Sequence, residues 1–481
     1  MTDSQETSKH QIEKLSILIP VYNEIRTLST LLDRVLQAPL PCERELVIVD
    51  DCSKDGSREL LQQYADEHDE INLILHEKNG GKGKAIRTAI EHLTGDWAII
   101  QDADLEYEPN EIADLLIPVQ DGVADAVFGS RFLSAKYRRA MYFWHTLANR
   151  ILTLTSNMLN DLNLTDMETC YKLVRSDILK SLNIRSAGFD LEPELTSKLA
   201  RWGARIYEVP ISYRGRTYAE GKKIGARDAV AAFWAMLKYR FFDRDYTNHD
   251  GFMILQAVRR AKKFNRWLFG QFDEYLGDEV LEAGCGIGNL TELILDKKRI
   301  VCLDYEQFYV DRLEQAYGHL ENFEVDTADL TKIEDLEAAA EEGPFDNVFC
   351  INVAEHIEDD QIVFENFFKV LKPGGHVIIL VPHNPALYSE VDKTLGHFRR
   401  YTYDELTTKL SDAGFGEVQC KGFNRVGGLG WRISGKILRK KTLSAGQMGM
   451  FELLMPLIRL AEYIPFHSHN SVIGIAQKPE E

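Results

Sequence analysis

Two stretches of the chain hold residue types at spacings that could do chemistry. In "QDADL" (residues 101–105) the carboxylates of Asp102 and Asp104 stand two residues apart at the end of an apolar run. Such a small turn can aim both at one point. Hard divalent cations prefer oxygen ligands of this kind, and Mg²⁺ binds through one or two carboxylates together with phosphates. A second acidic pair, Asp50 and Asp51, ends the run "ELVIVDD", and open α/β sheets bind ligands outside the carboxyl ends of their strands, so both pairs are expected on one rim. Far along the chain, "VLEAGCGIGN" places Glu282 before a turn on Gly284, Gly286 and Gly288. Glycines let a backbone approach a ligand closely. The spacing is G-x-G-x-G, so the pyrophosphate fingerprint G-x-G-x-x-G is not met.

The elements that must position these residues are legible as apolar runs followed by helix-like patterns. Strands are expected at Leu15–Val21, Glu45–Val49, Trp97–Gln101 and Ala126–Gly129, then at Glu279–Ala283, Ile300–Asp304, Phe345–Ile351 and His376–Val381. This is the pattern of two α/β units with mostly parallel sheets. A chain of 481 residues is long for one domain. The reading divides it into a polar tail at 1–13, a first domain at 14–245 and a second at 246–481, joined through the polar run "DRDYTNHDG". Gly251–Leu276 reads as a basic amphipathic helix, and a further helix is expected from Asn289.

Lys and Arg number 56 against 75 Asp and Glu, a net charge of -19 that argues against binding a polyanion along the whole chain, and no nucleic-acid module is recognised. The seven cysteines form no C-x-x-C pair, which fits a reduced compartment, the cytoplasm being the simplest. Met1–Lys14 has no apolar segment to act as a secretory signal. The longest apolar stretches, Ala229–Phe242 and Met450–Phe466, are interrupted by charges, so they are expected to lie against a membrane at most and not to span it.

From about Lys14 to Phe242 the chain resembles an inverting family 2 glycosyltransferase of GT-A type, through "IPVYNE", "VDDCSKDGS", "NGGKGKA", "DADLEYEP" and "GSRF" in that order. The later "TDMETCYKLVRSD", "GFDLEPEL" and "GRTYAEGKKI" resemble the dolichol-phosphate mannose synthase-like branch. The resemblance implies a nucleotide-diphosphate-sugar donor, with Pro20, Tyr22, Glu24 and Asp51 around base and ribose and Lys82 near the nucleotide. It implies Mg²⁺ or Mn²⁺ on Asp102 and Asp104, with Asp104 and Arg131 among the catalytic groups, and Arg131, Arg216, Lys222 and Lys223 around phosphates. It also places Glu194 where this branch carries an acid. Glu194, with Asp190 and Glu192 beside it, is either that acid or a group favoured near the N-terminus of the following helix.

A polyprenyl phosphate acceptor brings its own anionic oxygen, whereas a hydroxyl acceptor needs a base within reach. One segment favours the lipid on its own composition. Val127–Asn160 has no Asp or Glu, and interleaves Arg131, Lys136, Arg138, Arg139 and Arg150 with Met141, Tyr142, Phe143, Trp144, Leu147, Ile151 and Leu152. That suits docking on an anionic leaflet; the alternative is a core helix with a basic rim.

Over roughly Gly251–Lys478 the chain resembles a class I S-adenosylmethionine-dependent methyltransferase, a Rossmann-like fold, through "LEAGCGIGN", "CLDYE", "ADL", "FDNVFCINVAEHIED" and "VLKPGGHVIILVP". The resemblance implies S-adenosylmethionine as cofactor, with Glu282, Gly284, Gly286 and Asp304 on its methionine and ribose parts and Asp329 near the adenine, Asp326 being a rival. An oxygen acceptor would need deprotonation. His356, with Tyr388, Asp392, His397, Arg399 and Arg400, supplies candidate base and substrate-holding groups. His467 and His469 have no further ligands nearby in sequence and are not expected to hold a metal.

The expectation is therefore a bifunctional cytoplasmic enzyme, peripheral at the cytosolic face of a membrane. Its first half transfers sugar to a polyprenyl phosphate. Its second methylates a sugar or related glycan-pathway acceptor. Two alternatives stand: transfer to a glycan or protein hydroxyl with Glu194 as base, and a second half that only binds cofactor.

Overall fold

The computed structural model describes residues 12–133, 142–188, 190–215, 226–243, 246–247, 250–433, 451–464 and 469–480. The chain divides into two units, Met1–Asn248 and His249–Glu481.

In the first unit the apolar runs form β1 (Lys14–Val21), β2 (Glu43–Asp50), β3 (Ile71–Leu75), β4 (Trp97–Ile100) and β5 (Ala126–Ser130), joined by β6 (Lys172–Arg175) and β7 (Ile206–Pro210). The sheet order is β3-β2-β1-β4-β6-β5-β7. β6 runs antiparallel to β4 and β5; the other pairings are parallel. Leu15, Ile17, Leu18 and Ile19 of β1 are fully buried, as befits a parallel strand covered on both faces. The chain leaves β1 towards β2 and β3 on one side and continues at β4 on the other. The crevice at the carboxyl ends of β1 and β4 is thus a topological switch point, where sheets of this kind bind ligands.

The second unit repeats the plan. Its strands β8 (Glu279–Ala283), β9 (Arg299–Asp304), β10 (Phe323–Thr327), β11 (Phe345–Ile351), β12 (Leu371–Pro382), β13 (Gly416–Phe423) and β14 (Ser471–Gln477) lie in the order β10-β9-β8-β11-β12-β14-β13. Only β14 opposes its neighbours. Successive residues feed opposite layers: Leu281 and Val301 pack with Phe364 and Phe367, while Val280 and Ile300 pack with Trp267 and Phe272. The switch point lies between β8 and β11.

Two expected helices differ. Gly251–Leu276 is not continuous: it breaks into Asp250–Arg259 and Lys262–Phe269, followed by a short 3-10 turn at Asp273–Tyr275. Asn265 stabilises the break by donating its side-chain amide to the Val258 carbonyl. From Asn289 there is only a 3-10 turn at Thr291–Leu293, because the Thr291 hydroxyl turns inward to the Glu282 carboxylate.

Helix Phe143–Asn160 is inside out. Its buried residues are Thr153, Ser156 and Asn160, while Phe143, Trp144 (74% exposed), Leu147, Ile151, Leu154 and Met158 (78%) face outward. The core-helix alternative therefore fails for this segment; Lys136, Arg138, Arg139 and Met141 lie outside the described residues. Among the described residues no helix is long and apolar enough to cross a membrane.

Candidate active sites of the two units

In the first unit the loops after β1, β2 and β4 meet at the switch point. Asn23 takes a left-handed backbone (φ 54) and its side chain accepts from the Lys54 amide, while the Thr27 hydroxyl donates to the Ala103 carbonyl, so the three loops are tied together. Pro20, next to last in β1, is half-buried, Tyr22 is exposed just beyond the strand, and Glu24 accepts the Thr27 hydroxyl at the head of the next helix.

Asp51 anchors the glycine loop. Its carboxylate accepts the Gly80 amide at 2.9 Å, the Gly81 amide at 2.7 Å and His76 Nδ1 at 2.8 Å. A base or ribose would have to share it. Gly81 is irreplaceable here: at φ 86 an added Cβ would stand 2.3 Å from the Ala187 carbonyl oxygen. Asp50 does not reach the rim as expected. It turns beneath it to the Arg58 guanidinium, with Nε at 2.7 Å, because a fully buried carboxylate needs a paired charge.

The loop delivers Lys82 to the acidic turn. Its Nζ lies 2.8 Å from Asp102 Oδ1 and 2.8 Å from Glu192 Oε1. Burial opposes the charge, but Asp102, Cys170 and Glu192 together hold the ammonium well above its ordinary pKa. Asp104 accepts the Glu106 amide at 3.1 Å, which shapes the turn. The expected metal carboxylates thus stand on one turn, one of them already facing a cation.

Two expected catalytic groups are committed elsewhere. Arg131 makes a bidentate pair with fully buried Asp166, Nε to Oδ2 at 2.6 Å and Nη2 to Oδ1 at 2.7 Å, and stacks over Tyr213. That leaves little of its fork for phosphate. Glu194 is fully buried and accepts the Arg185 and Ser186 amides at 2.8 and 2.6 Å and Lys198 Nζ at 2.5 Å. Such a carboxylate is satisfied within the fold and faces away from the acidic turn's lysine, which Glu192 meets. It is Glu192, one helix face away, that reaches the site. Arg216, Lys222 and Lys223 lie outside the described residues. Neither Asp166 as a partner nor Glu168, whose carboxyl is raised by burial and by Glu192, is signalled by any motif in the sequence.

In the second unit the glycine turn follows β8. Gly284, Gly286 and Gly288 all have positive φ, and a Cβ on Gly284 would stand 2.2 Å from Val353 Cγ2. The Gly286 amide donates to Asp304 Oδ2 at 2.7 Å, which fixes the turn against the end of β9. Glu282 lies beneath, bonded by the Thr291 hydroxyl at 2.6 Å, and burial pushes its carboxyl up to about 8. Asp329 follows β10, accepting the Thr331 hydroxyl at 2.7 Å; Asp326, its rival, is exposed.

Beyond β11, His356 lies at the surface with its ring 4.7 Å from that of buried His397. His397 Nδ1 meets Asp392 Oδ1 at 3.1 Å, and Arg400 Nε meets the same oxygen at 2.7 Å. Burial alone would raise Asp392, yet the His397 and Arg400 bonds hold it down to about 2. Tyr388 donates to the His397 carbonyl, and Arg399 pairs with Asp360 at 2.7 Å. Arg399 and Arg400 are thus tied to acids of the fold and are not a free anion clamp. His469 lies against the Tyr403 hydroxyl at 3.0 Å; His467 lies outside the described residues.

An acidic turn at one switch point and a glycine turn at another, in two α/β units of one chain, define a two-site transferase. The chain belongs to glycosyl transferase family 2, whose model matches residues 16–182, and it carries a methyltransferase domain matched over residues 281–377. It is 31% identical over 243 residues to an undecaprenyl-phosphate mannosyltransferase of Micrococcus luteus, covering 46% of this chain and 97% of that protein. It is 30% identical over 218 residues to an undecaprenyl-phosphate 4-deoxy-4-formamido-L-arabinose transferase of Photorhabdus laumondii, covering 45% of this chain and 64% of that one. A crystal structure of a SAM dependent methyltransferase from Archaeoglobus fulgidus aligns with 47% of this chain and 99% of that chain at 20% identity, with a TM-score of 0.34.

Proposed function

We propose that the first unit transfers a sugar, with inversion, from a nucleotide-diphosphate-sugar to a polyprenyl phosphate, and that the second transfers a methyl group to a sugar or related glycan acceptor, the joint between them falling at residues 245–246. The observation that carries the acceptor choice is the burial of Glu194 against Lys198. In the hydroxyl-acceptor alternative Glu194 is the base, and its burial withholds it from an acceptor; a phosphate oxygen is already anionic and attacks the anomeric carbon unaided, while the nucleoside diphosphate departs. The outward apolar face of Phe143–Asn160 supports an acceptor held in a membrane at its cytosolic face.

The donor set fits a hard divalent cation: Asp102 and Asp104 would hold Mg²⁺ or Mn²⁺, which would neutralise charge on the diphosphate. Lys82 contributes a positive charge at the same turn, one that strengthens as charge develops on the leaving group. Incubation with labelled nucleotide-sugars, undecaprenyl phosphate and either cation tests the reading; product formed on a glycan hydroxyl but never on the lipid phosphate would overturn it.

In the second unit the left-handed glycine turn is a cradle that any Cβ at Gly284 would fill, which fits close approach of S-adenosylmethionine. The cofactor would supply an electrophilic methyl group. Glu282 and Asp304 would face its amino-acid and ribose parts, with Asp329 beside the adenine. The chain's task is alignment and exclusion of water. Labelled methyl donor offered together with the purified glycosyl product tests the pairing of the two activities.

A further inference from the structure

We propose that Glu355, His356 and His397 form a binding site for one divalent transition-metal ion in the second unit, distinct from the acidic turn of the first. The three side chains can each present one ligand atom with all three within 4.8 Å of one another, and His397 Nε2 lies 4.0 Å from Glu355 Oε1. Ligand atoms each about 2.1 Å from one ion stand roughly 3 to 4 Å apart. Closing the site needs a movement of about one to two ångströms, within reach of His356 at the surface.

Glu355 points to the ligand. It is fully buried, and neither of its carboxylate oxygens has a hydrogen-bond partner among the described residues. Arg400, a nearby cation, gives its Nε to Asp392 and its Nη1 to the His383 carbonyl, and its Nη2 makes no hydrogen bond among the described residues, to Glu355 or to any other group. A native fold does not bury a bare carboxylate without cause.

The histidines are set as ligands are. Metal-bound imidazoles present one nitrogen to the ion and give the other to a carboxylate or a carbonyl. His397 gives Nδ1 to Asp392, itself fixed by the Ser389 amide at 2.8 Å and by Trp431 Nε1 at 3.2 Å. His356 stands beside it, the two rings 4.7 Å apart and nearly perpendicular. Two imidazoles and one carboxylate suit Zn²⁺, Co²⁺ or Mn²⁺ and leave coordination positions open.

The site stands at the switch point of the second unit, since Val353, which meets Gly284, is two residues from Glu355. Its use would be to bind an acceptor oxygen and ease loss of its proton to water. That use rests on the methyl-transfer reading; the binding does not.

The test is titration of the chelator-stripped full chain with Co²⁺ alone, read by calorimetry and by the ligand-field absorption of the ion, in the wild type and in an Asp102→Asn, Asp104→Asn background that removes the first unit's carboxylates. One site per chain with an imidazole-type spectrum is expected in both. Glu355→Gln and His356→Asn should each weaken it at least tenfold while leaving the metal-free melting curve near that of the parent. Absence of Co²⁺ binding below millimolar concentration in the double-Asn background, or an affinity indifferent to both substitutions, overturns the site. Loss of S-adenosylmethionine binding with Co²⁺ binding intact would instead strike the methyl-transfer reading alone.

Discussion

The ammonium of Lys82 stands 2.8 Å from a carboxylate oxygen of Asp102 and 2.8 Å from one of Glu192, linking the glycine loop to the acidic turn and to helix Leu191–Trp202. Removing it leaves half-buried Asp102 and buried Glu192 facing each other across the switch point and takes one cation from the leaving diphosphate. Lys82→Gln is expected to lower sugar turnover roughly 100-fold, the usual loss for one aimed group, and to weaken nucleotide-diphosphate binding. Steady-state rates beside calorimetric affinities measure both. Wild-type turnover in the variant would reduce Lys82 to a structural tie.

Glu194 and Lys198 form a pair with no exposed side-chain surface. Glu194→Gln leaves Lys198 with Asp243, at 3.0 Å, as its one remaining buried carboxylate and should cost roughly 1–3 kcal/mol of stability. The folded fraction should keep its kcat. A melting curve combined with active-site-normalised rates separates the two effects; a stable variant with its turnover abolished would restore the acid as a base.

Exposed Trp144 and Leu154 should be membrane anchors. Each large apolar side chain fully transferred from water contributes roughly 1.5–3 kcal/mol. Replacing both by Ser is expected to weaken flotation with anionic vesicles by about 100-fold or more, and to leave turnover of a short-chain, detergent-dispersed acceptor near wild type. Unchanged flotation would remove this helix from the membrane contact.

Burial raises the Glu282 carboxyl to about 8. The unfolded chain releases that proton in the ordinary carboxylate range, near pH 4.3. Between the two values the folded unit binds more protons than the unfolded one, so stability falls as pH rises, by an amount on the order of a few kcal/mol by pH 8. Thermal scans from pH 5 to pH 8 should show the second unit's melting temperature declining. Glu282→Gln should lessen that slope, the remainder coming from Glu355, raised alike by burial, and should weaken methyl-donor binding; an equally steep decline in the variant would remove Glu282 as its source.

Much of the fold was legible because parallel strands buried on both faces read as unbroken apolar runs. β8 and β11 match the expected Glu279–Ala283 and Phe345–Ile351 residue for residue. β13 was missed, since its residues alternate between half-buried and exposed and offer no such run. β6 is only four residues long. The acidic and glycine turns were visible as local words, but their partners were not. Arg131 meets Asp166 across 35 positions of sequence, and the expectation that it holds phosphate came from a motif with no sign of the buried acid. Glu192 and Glu194 are two residues apart on one helix, hence on different faces, and only packing decides which one looks into the crevice. Glu355 and His397 belong to separate words, and only the fold brings them together.

A helix that hides its hydroxyls and displays its tryptophan has consequences at the bench. Stripped of amphiphile, Phe143–Asn160 leaves a greasy strip bare, and copies of the enzyme will cover it with one another. On the proposed membrane contact, assemblies formed in plain buffer would report the missing bilayer, and the stoichiometry should be sought in nanodiscs.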